Sequence, residues 1–315
     1  MIDIAINIDA KFVPYAHVML FSLEESNVDE SFTVHIINVG LNDCHKKEFY
    51  NKHPKMAFHF YDIDHNVISS LPMWRKDYVS VATYLRIFMP DLLPQNVNKV
   101  LFLDCDILVL DSIADLWNID LDSQNIMVAA VEERPPYNTQ KPQELKYSPE
   151  ASYFNAGVAL INLKALRMSN FTQRAASFIE NYRNSLRHHD QDILNALTAG
   201  HTLFISCRWN LLDFFTFKKP DIQPNRMSDL QSALQKPAIV HFSNKRKPWK
   251  HNCDNPFRDI YLNKAANYGI NIGSNWEINT KRTMRKVLYS IHLKKAKYKK
   301  PQTIPFLAQY LYKTT

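Results

Sequence analysis

The sequence predicts an α/β protein built on a parallel or mixed sheet with helices against both faces. Three observations carry this expectation. Short apolar runs alternate with stretches of helical periodicity through the first half of the chain. The run "KVLFLDCDILVL" (99–110) is apolar at nearly every position outside two aspartates, as a strand covered on both faces must be. The 315 residues are 46% hydrophobic and 22% charged, ample material for a core.

The elements follow in order. "IDIAINI" (2–8) alternates apolar and polar residues and opens the chain as a strand. "VPYAHVMLFSLEES" (13–26) has helical spacing, and "FTVHIINV" (32–39) is the next strand. The polar "NDCHKKEFYNKH" (42–53) separates it from the strand "AFHFYDI" (57–63). A helical "VATYLRIFM" (81–89) leads into 99–110, read as one buried strand, and "IMVAAVE" (126–132) follows. With four prolines, "EERPPYNTQKPQELKYSPE" (132–150) reads as a loop long enough to be functional. "YFNAGVALINLKAL" resumes strand and turn, and helical periodicity returns over 171–187 and from Asp190 to Ala199. "KPAIVHFSN" (236–244) is a last strand running into the loop "KRKPWKH". In such sheets the ligand crevice lies at the carboxyl ends of the strands.

Composition excludes several classes. Five glycines cannot assemble a dinucleotide fingerprint or a Walker-type loop, so a bound nucleotide would need its phosphates held by something other than glycine backbone. The four cysteines form no C-x-x-C pair, which argues against a zinc knuckle. The first residues carry no basic leader, and no apolar run approaches the ~20 residues of a membrane span. A cytosolic chain with reduced thiols is the expectation. The net charge of +7 is uneven: residues 278–315 hold ten Lys or Arg and no acid, leaving 28 basic against 31 acidic residues elsewhere.

Four Asp-x-Asp triplets occur, and context separates them. Asp120/Asp122 sits among Asn and Ser in a solvated turn, Asp62/Asp64 ends a strand, and only Asp104/Asp106 is flanked by apolar residues on both sides. On a strand, residues two apart face the same way, so Asp104 and Asp106 would aim two carboxylates at one point. Two anions that close repel unless a cation lies between them or one takes a proton. A divalent metal satisfies that demand, and a diphosphate could fill its remaining positions. The alternative is a strand end with exposed aspartates. His241, after the apolar "AIV", is a third ligand candidate, and an imidazole shifts the expected metal from Mg²⁺ toward Mn²⁺. Lys247 offers a point charge for phosphate, although "KRKPWK" alone also reads as a solvated basic loop.

These pieces, in this order, resemble the bacterial glycosyltransferases of family 8, closest to the lipopolysaccharide and lipooligosaccharide α-galactosyl- and α-glucosyltransferases. The likeness spans nearly the whole chain through "VLFLDCDILV", "YFNAGVALINL", "DQDILN" and "HFSNKRKPW". It implies a GT-A fold, a UDP-hexose donor, Mn²⁺ (with Mg²⁺ as an alternative) and retention of anomeric configuration. By the family motif, Asp104, Asp106 and His241 hold the metal and Lys247 the donor diphosphate. Asn7 and Asp9 line the uridine site, where Phe12 replaces the usual tyrosine and keeps only its ring face for stacking, and Lys11 stands at a usual asparagine. Arg86, Asn155, Asp190 and Gln191 match the donor-sugar positions, with Asp190 and Gln191 nearest the reacting carbon. Asp190 also reads as a helix N-cap before "QDILNAL". Asn244 stands where a glycine is common. The rival readings are a metal-dependent nucleotidyltransferase and a membrane-bound scaffold with an inactive site.

The implied division is a catalytic domain over 1–277 and a basic tail over 278–315. Met284, Val287, Leu288 and Ile291 follow helical spacing among basic residues, and "IPFLAQYLY" adds apolar groups, so the tail is expected to lie on the inner face of the cytoplasmic membrane. The expected partners are a UDP-sugar, a saccharide or glycolipid acceptor and that membrane, with no nucleic acid.

Overall fold

In the β4 strand (Lys99–Leu103), Val100 and Phe102 enter one hydrophobic cluster, and Leu101 and Leu103 enter another. This period of two with both faces covered places β4 at the centre of a sheet. The computed structural model describes residues 1–64, 81–135, 137–148, 150–183, 185–250, 252–272 and 297–313. Its main sheet has seven strands in the order β3-β2-β1-β4-β7-β6-β8. They are β1 (Ile2–Asp9), β2 (Phe32–Val39), β3 (Ala57–Asp62), β4, β6 (Val128–Glu132), β7 (Phe154–Asn162) and β8 (Thr202–Phe204). All neighbours are parallel except those of β7, which runs antiparallel to both β4 and β6. The start of β7 therefore lies at the same rim as the carboxyl ends of β1, β4 and β6.

A smaller sheet, β5-β10-β9, is formed by β5 (Ile107–Val109), β10 (Ile239–His241) and β9 (Leu211–Leu212). Here the reading of 99–110 as one strand is corrected. The chain leaves the main sheet after Leu103, turns at Asp104–Asp106 and re-enters the second sheet at Ile107. The carboxylates are brought together by a turn at the junction of two sheets, not by strand alternation.

Helix α1 (Val13–Ser26) is buried along most of its length and spans the expected residues. The polar 43–52 segment forms helix α2 (Asp43–Lys52), capped by Asn42 and His45, which each bond the other's backbone N–H. Two other expectations change. Residues 81–88 are 3-10 rather than α-helical. The 132–150 loop contains the helix Tyr137–Glu144 with Pro142 inside it. That helix loses one backbone bond to Pro142 but is tied down by buried Lys141, whose ammonium reaches Glu144 and Asp192.

Between α1 and α2 two buried imidazoles are linked to more exposed acids: Glu24 to His53 (2.7 Å), His53 to His17 (3.1 Å) and His17 to Glu48 (3.5 Å). Burial, then the neighbouring His53 and Lys52, lowers the His17 pKa from 6.5 to about 3. The unfolded chain takes up this proton near pH 6.5 while the folded chain resists it until about 3, so the stabilisation is complete above the upper value. It is lost as pH falls through that window, at about 1.4 kcal/mol per pH unit. Urea denaturation at pH 7 and pH 5 is expected to show this loss, and His17→Gln to flatten it.

The described end of the tail folds back onto the body. Tyr298 pairs with Phe217, and Ile304 and Leu307, at the start of the helix Pro305–Lys313, are buried in the main core. Those two apolar residues face protein. The expected amphipathic stretch at Met284–Ile291 lies outside the described residues, and no helix among the described residues is long and apolar enough to cross a membrane.

Candidate active site

The carboxyl end of β1, the 104–106 turn, the start of β7 and the end of β10 converge on one cleft of about 460 Å³. Register explains the convergence. His241 ends β10 opposite Ile107, one residue beyond Asp106, and Phe242 N–H donates to the Asp106 carbonyl (2.9 Å). Asp104 is fixed from the other side, its N–H donating to the Gly157 carbonyl (2.7 Å). Ligand atoms of Asp104, Asp106 and His241 consequently lie within 4.8 Å of one another.

The hydrogen bonds around His241 fix which ring nitrogen faces the acids. Asn210 Nδ2 donates to Asn155 Oδ1 (3.0 Å), so the Asn210 carbonyl oxygen faces His241 Nδ1 (2.9 Å) and accepts its proton. Nε2 is thereby the ring nitrogen turned toward the acids, 3.2 Å from Asp106 Oδ1 and 3.7 Å from Asp104 Oδ2. Asp106 Oδ1 is buried and has no hydrogen-bond partner among the described residues. A buried carboxylate oxygen and a ring nitrogen held this close call for a positive charge between them, a proton or a metal cation. Two carboxylates and an imidazole form a donor set that fits Mn²⁺, with an outer shell that orients the imidazole.

Cations compensate the acids. Arg86, 5% exposed, donates to Asp104 Oδ1 (3.0 Å), contacts Asp190 and lies 4.0 Å from the centre of the Phe102 ring. Lys247 contacts Asp106 and donates to the Phe242 carbonyl (2.8 Å). Burial alone would raise the Asp106 pKa, but Lys247 and His241 draw it well below the usual carboxylate range. Asp190, 1% exposed, goes the other way: burial raises it to about 7 against the pull of Arg86.

Asn7, Asp9, Phe12, Arg86, Asp104, Asp106, Asn155, Gln191, His241 and Lys247 all line this cleft. Asp190 does not; it stands behind Arg86, and the N-cap of its helix (Asp190–Leu197) is His189 rather than Asp190. Asp9 caps the turn that follows β1, accepting from Lys11 N–H (2.9 Å) and Phe12 N–H (3.2 Å). Both polar atoms of Asn7 are buried without a partner among the described residues. The Asn155 amide joins a chain: it donates to Glu133 Oε2 (3.2 Å) and accepts from Gly157 N–H (3.0 Å) and Asn210. Gln191 Oε1 accepts from Ala156 N–H (3.0 Å) and its Nε2 donates to Tyr153 (3.1 Å), whose hydroxyl donates to Asp192 (2.6 Å).

Sequence reasoning missed Asn210, Gly157, Tyr153 and Asp213. Asp213 shapes the 243–250 loop by accepting from Asn244 N–H (2.9 Å), Asn255 (2.9 Å) and Tyr298 (3.1 Å). Gly157 alone carried a signal, because a glycine inside a fully buried strand marks a close approach. A Cβ there would stand 2.3 Å from His241 Cε1 and 2.5 Å from Asp104 Oδ2.

With this geometry in place, the profile of glycosyl transferase family 8 matches residues 3–253. The chain belongs to glycosyl transferase family 8. Among curated proteins it is similar to General stress protein A of Bacillus subtilis (strain 168), 30% identical over 246 residues, covering 75% of this chain and 84% of that protein. The lipopolysaccharide 1,2-glucosyltransferase of Escherichia coli (strain K12) is 25% identical, covering 79% of this chain and 72% of its own length. A crystal structure of the galactosyltransferase LgtC with donor and acceptor sugar analogues superposes with a TM-score of 0.76 at 24% identity, covering 84% of this chain and 96% of that one. That likeness shows the fold, GT-A. Family 8 membership makes the chain a glycosyltransferase, and the nucleotidyltransferase and inactive-scaffold readings give way to it.

Proposed function

We propose that this glycosyltransferase moves galactose or glucose from a UDP-sugar to a saccharide acceptor of a growing lipopolysaccharide or lipooligosaccharide core. Anomeric configuration is retained, and Mn²⁺ is held by Asp104, Asp106 and His241. The supporting observation is Nε2 of His241 turned toward the carboxylate oxygens of Asp104 and Asp106, in the cleft that also holds the orphaned amide of Asn7. The names of the relatives, a lipopolysaccharide 1,2-glucosyltransferase and a lipopolysaccharide 1,3-galactosyltransferase, support the choice of substrate class.

In this reading the Asn7 amide meets the polar edge of uracil, the Phe12 ring stacks on its face, and Asp9 holds the ribose. Mn²⁺, when bound, supplies positive charge against the charge that builds on the departing diphosphate. Lys247, flexible and cationic, serves the same oxygens. Arg86 orients Asp104 and shields Asp190. The amide orientation forced on Gln191 by Ala156 N–H leaves an N–H of Nε2 for the donor sugar. An amide is a poor nucleophile, so Gln191 acts by binding and orienting. Asn155 orients Asn210 and, through it, His241.

Incubation with a panel of UDP-hexoses and Mn²⁺ tests the reading. Release of UDP from one or two hexoses, with the donor's α configuration kept in the product NMR spectrum, is expected; no UDP release from any would refute it. Asn210→Ala is expected to weaken Mn²⁺ binding by about ten- to a hundred-fold, read by electron paramagnetic resonance, because the imidazole loses its orienting acceptor. We also propose that the basic stretch within 278–296 holds the enzyme on anionic lipid at the inner face of the cytoplasmic membrane. Equal co-sedimentation with liposomes after neutralising those residues would refute that role.

A further inference from the structure

One wall of the cleft is untouched by the donor reading. It carries Arg134, Tyr137, Phe214, Phe217 and Lys297, and Lys245 lines the same cleft. The Arg134 guanidinium lies 5.2 Å from the centre of the Tyr137 ring and 5.5 Å from that of Phe214, and the Lys297 ammonium lies 4.0 Å from that of Phe217. Lys297 reaches the cleft from the C-terminal segment by a built connection. Its carbonyl accepts from Lys218 N–H (3.0 Å), Lys299 N–H donates to Thr216 (2.8 Å), and the intervening Tyr298 is anchored on Asp213.

The charge on this wall is unbalanced. Neither Lys245 nor Lys297 makes an ion pair among the described residues, and Arg134 has only the exposed Asp221 at 3.5 Å. Nearby carboxylates are already engaged: Asp213 takes the donors described above, and Glu133 accepts from Arg134 N–H (3.1 Å) and Asn155. Aromatic faces suit the C–H face of a sugar ring, and cations held over aromatic rings at the edge of a cleft suit a fixed anion.

We infer that this wall is an acceptor subsite for a saccharide bearing a phosphate or carboxylate group, with Lys297 and Arg134 as its anion-binding residues. The inference rests on the proposed transferase reading and narrows its acceptor. It also gives the C-terminal segment a place in substrate recognition.

The test uses the full-length protein with Mn²⁺ and UDP bound, and ligand-observed NMR titration with glucose, glucose 6-phosphate, glucuronate and inorganic phosphate. At least one charged sugar is expected to bind about tenfold or more tighter than glucose, and which one does so separates a phosphate from a carboxylate. Tighter binding of the charged sugar than of inorganic phosphate is expected from the aromatic wall. Lys297→Gln and Arg134→Gln are each expected to weaken the preferred charged sugar about tenfold, leaving UDP affinity within twofold. Glucose binding as well as the charged sugars, unaltered binding in both variants, or an equal loss of UDP affinity would overturn the subsite. Failure of the wild-type protein to bind UDP would instead remove the donor reading beneath it.

Discussion

Asp104→Asn and Asp106→Asn are each expected to lower Mn²⁺-dependent turnover of the UDP-hexose by about a thousand-fold while leaving the fold intact. Each substitution removes one charged oxygen ligand from a three-residue donor set. Loss of several kcal/mol of charge stabilisation on the leaving group translates at tenfold per 1.36 kcal/mol. The two variants should differ in their second effect. Asp104→Asn leaves Arg86 its other carboxylate, Asp190, whereas Asp106→Asn takes from Lys247 the carboxylate it contacts. Circular dichroism separates the catalytic loss from unfolding. Activity of either variant within tenfold of wild type would contradict the assigned roles.

Gly157→Ala carries the second large effect, about a hundred-fold in turnover from a single methyl group. The backbone there is not in the left-handed region, so alanine meets no conformational penalty. The obstacle is space. The new carbon would overlap both His241 and Asp104, and the strand cannot retreat, because the Gly157 carbonyl holds Asp104 N–H and Gly157 N–H is held by Asn155. Overpacking of this kind costs about 1–3 kcal/mol of stability, so the variant should fold. What it should lose is Mn²⁺ affinity, because the imidazole or the carboxylate must move. Wild-type Mn²⁺ affinity in Gly157→Ala, measured by calorimetric titration, would show that the cradle is looser than described.

Much of this was legible in the residues themselves. α1 and β2 fall where periodicity put them, because their spacing of apolar residues matches a helix or strand over the whole element. The metal candidates were legible because acids inside an apolar run are costly unless compensated. What the sequence hid was long-range. The run 99–110 contains no turn former stronger than Asp104–Cys105–Asp106, and only its pairing with β7 on one side and β10 on the other shows that it serves two sheets. The helix around Pro142 depends on Lys141 reaching Asp192, fifty-one residues later. Asn210 has no local mark at all; it matters because Asn155 and His241 meet it from different sheets. Arg86 read as a sugar contact, yet its surroundings commit it first to Asp104 and Asp190.

The central claim is a single divalent ion at the junction of the two sheets. Crystals grown with Mn²⁺ and UDP, with data collected at the manganese absorption edge, test it directly. The predicted result is one anomalous peak within coordination distance of Asp104, Asp106 and Nε2 of His241, with the UDP diphosphate completing its shell. A peak elsewhere, or UDP bound with no manganese between it and these three side chains, would contradict the account.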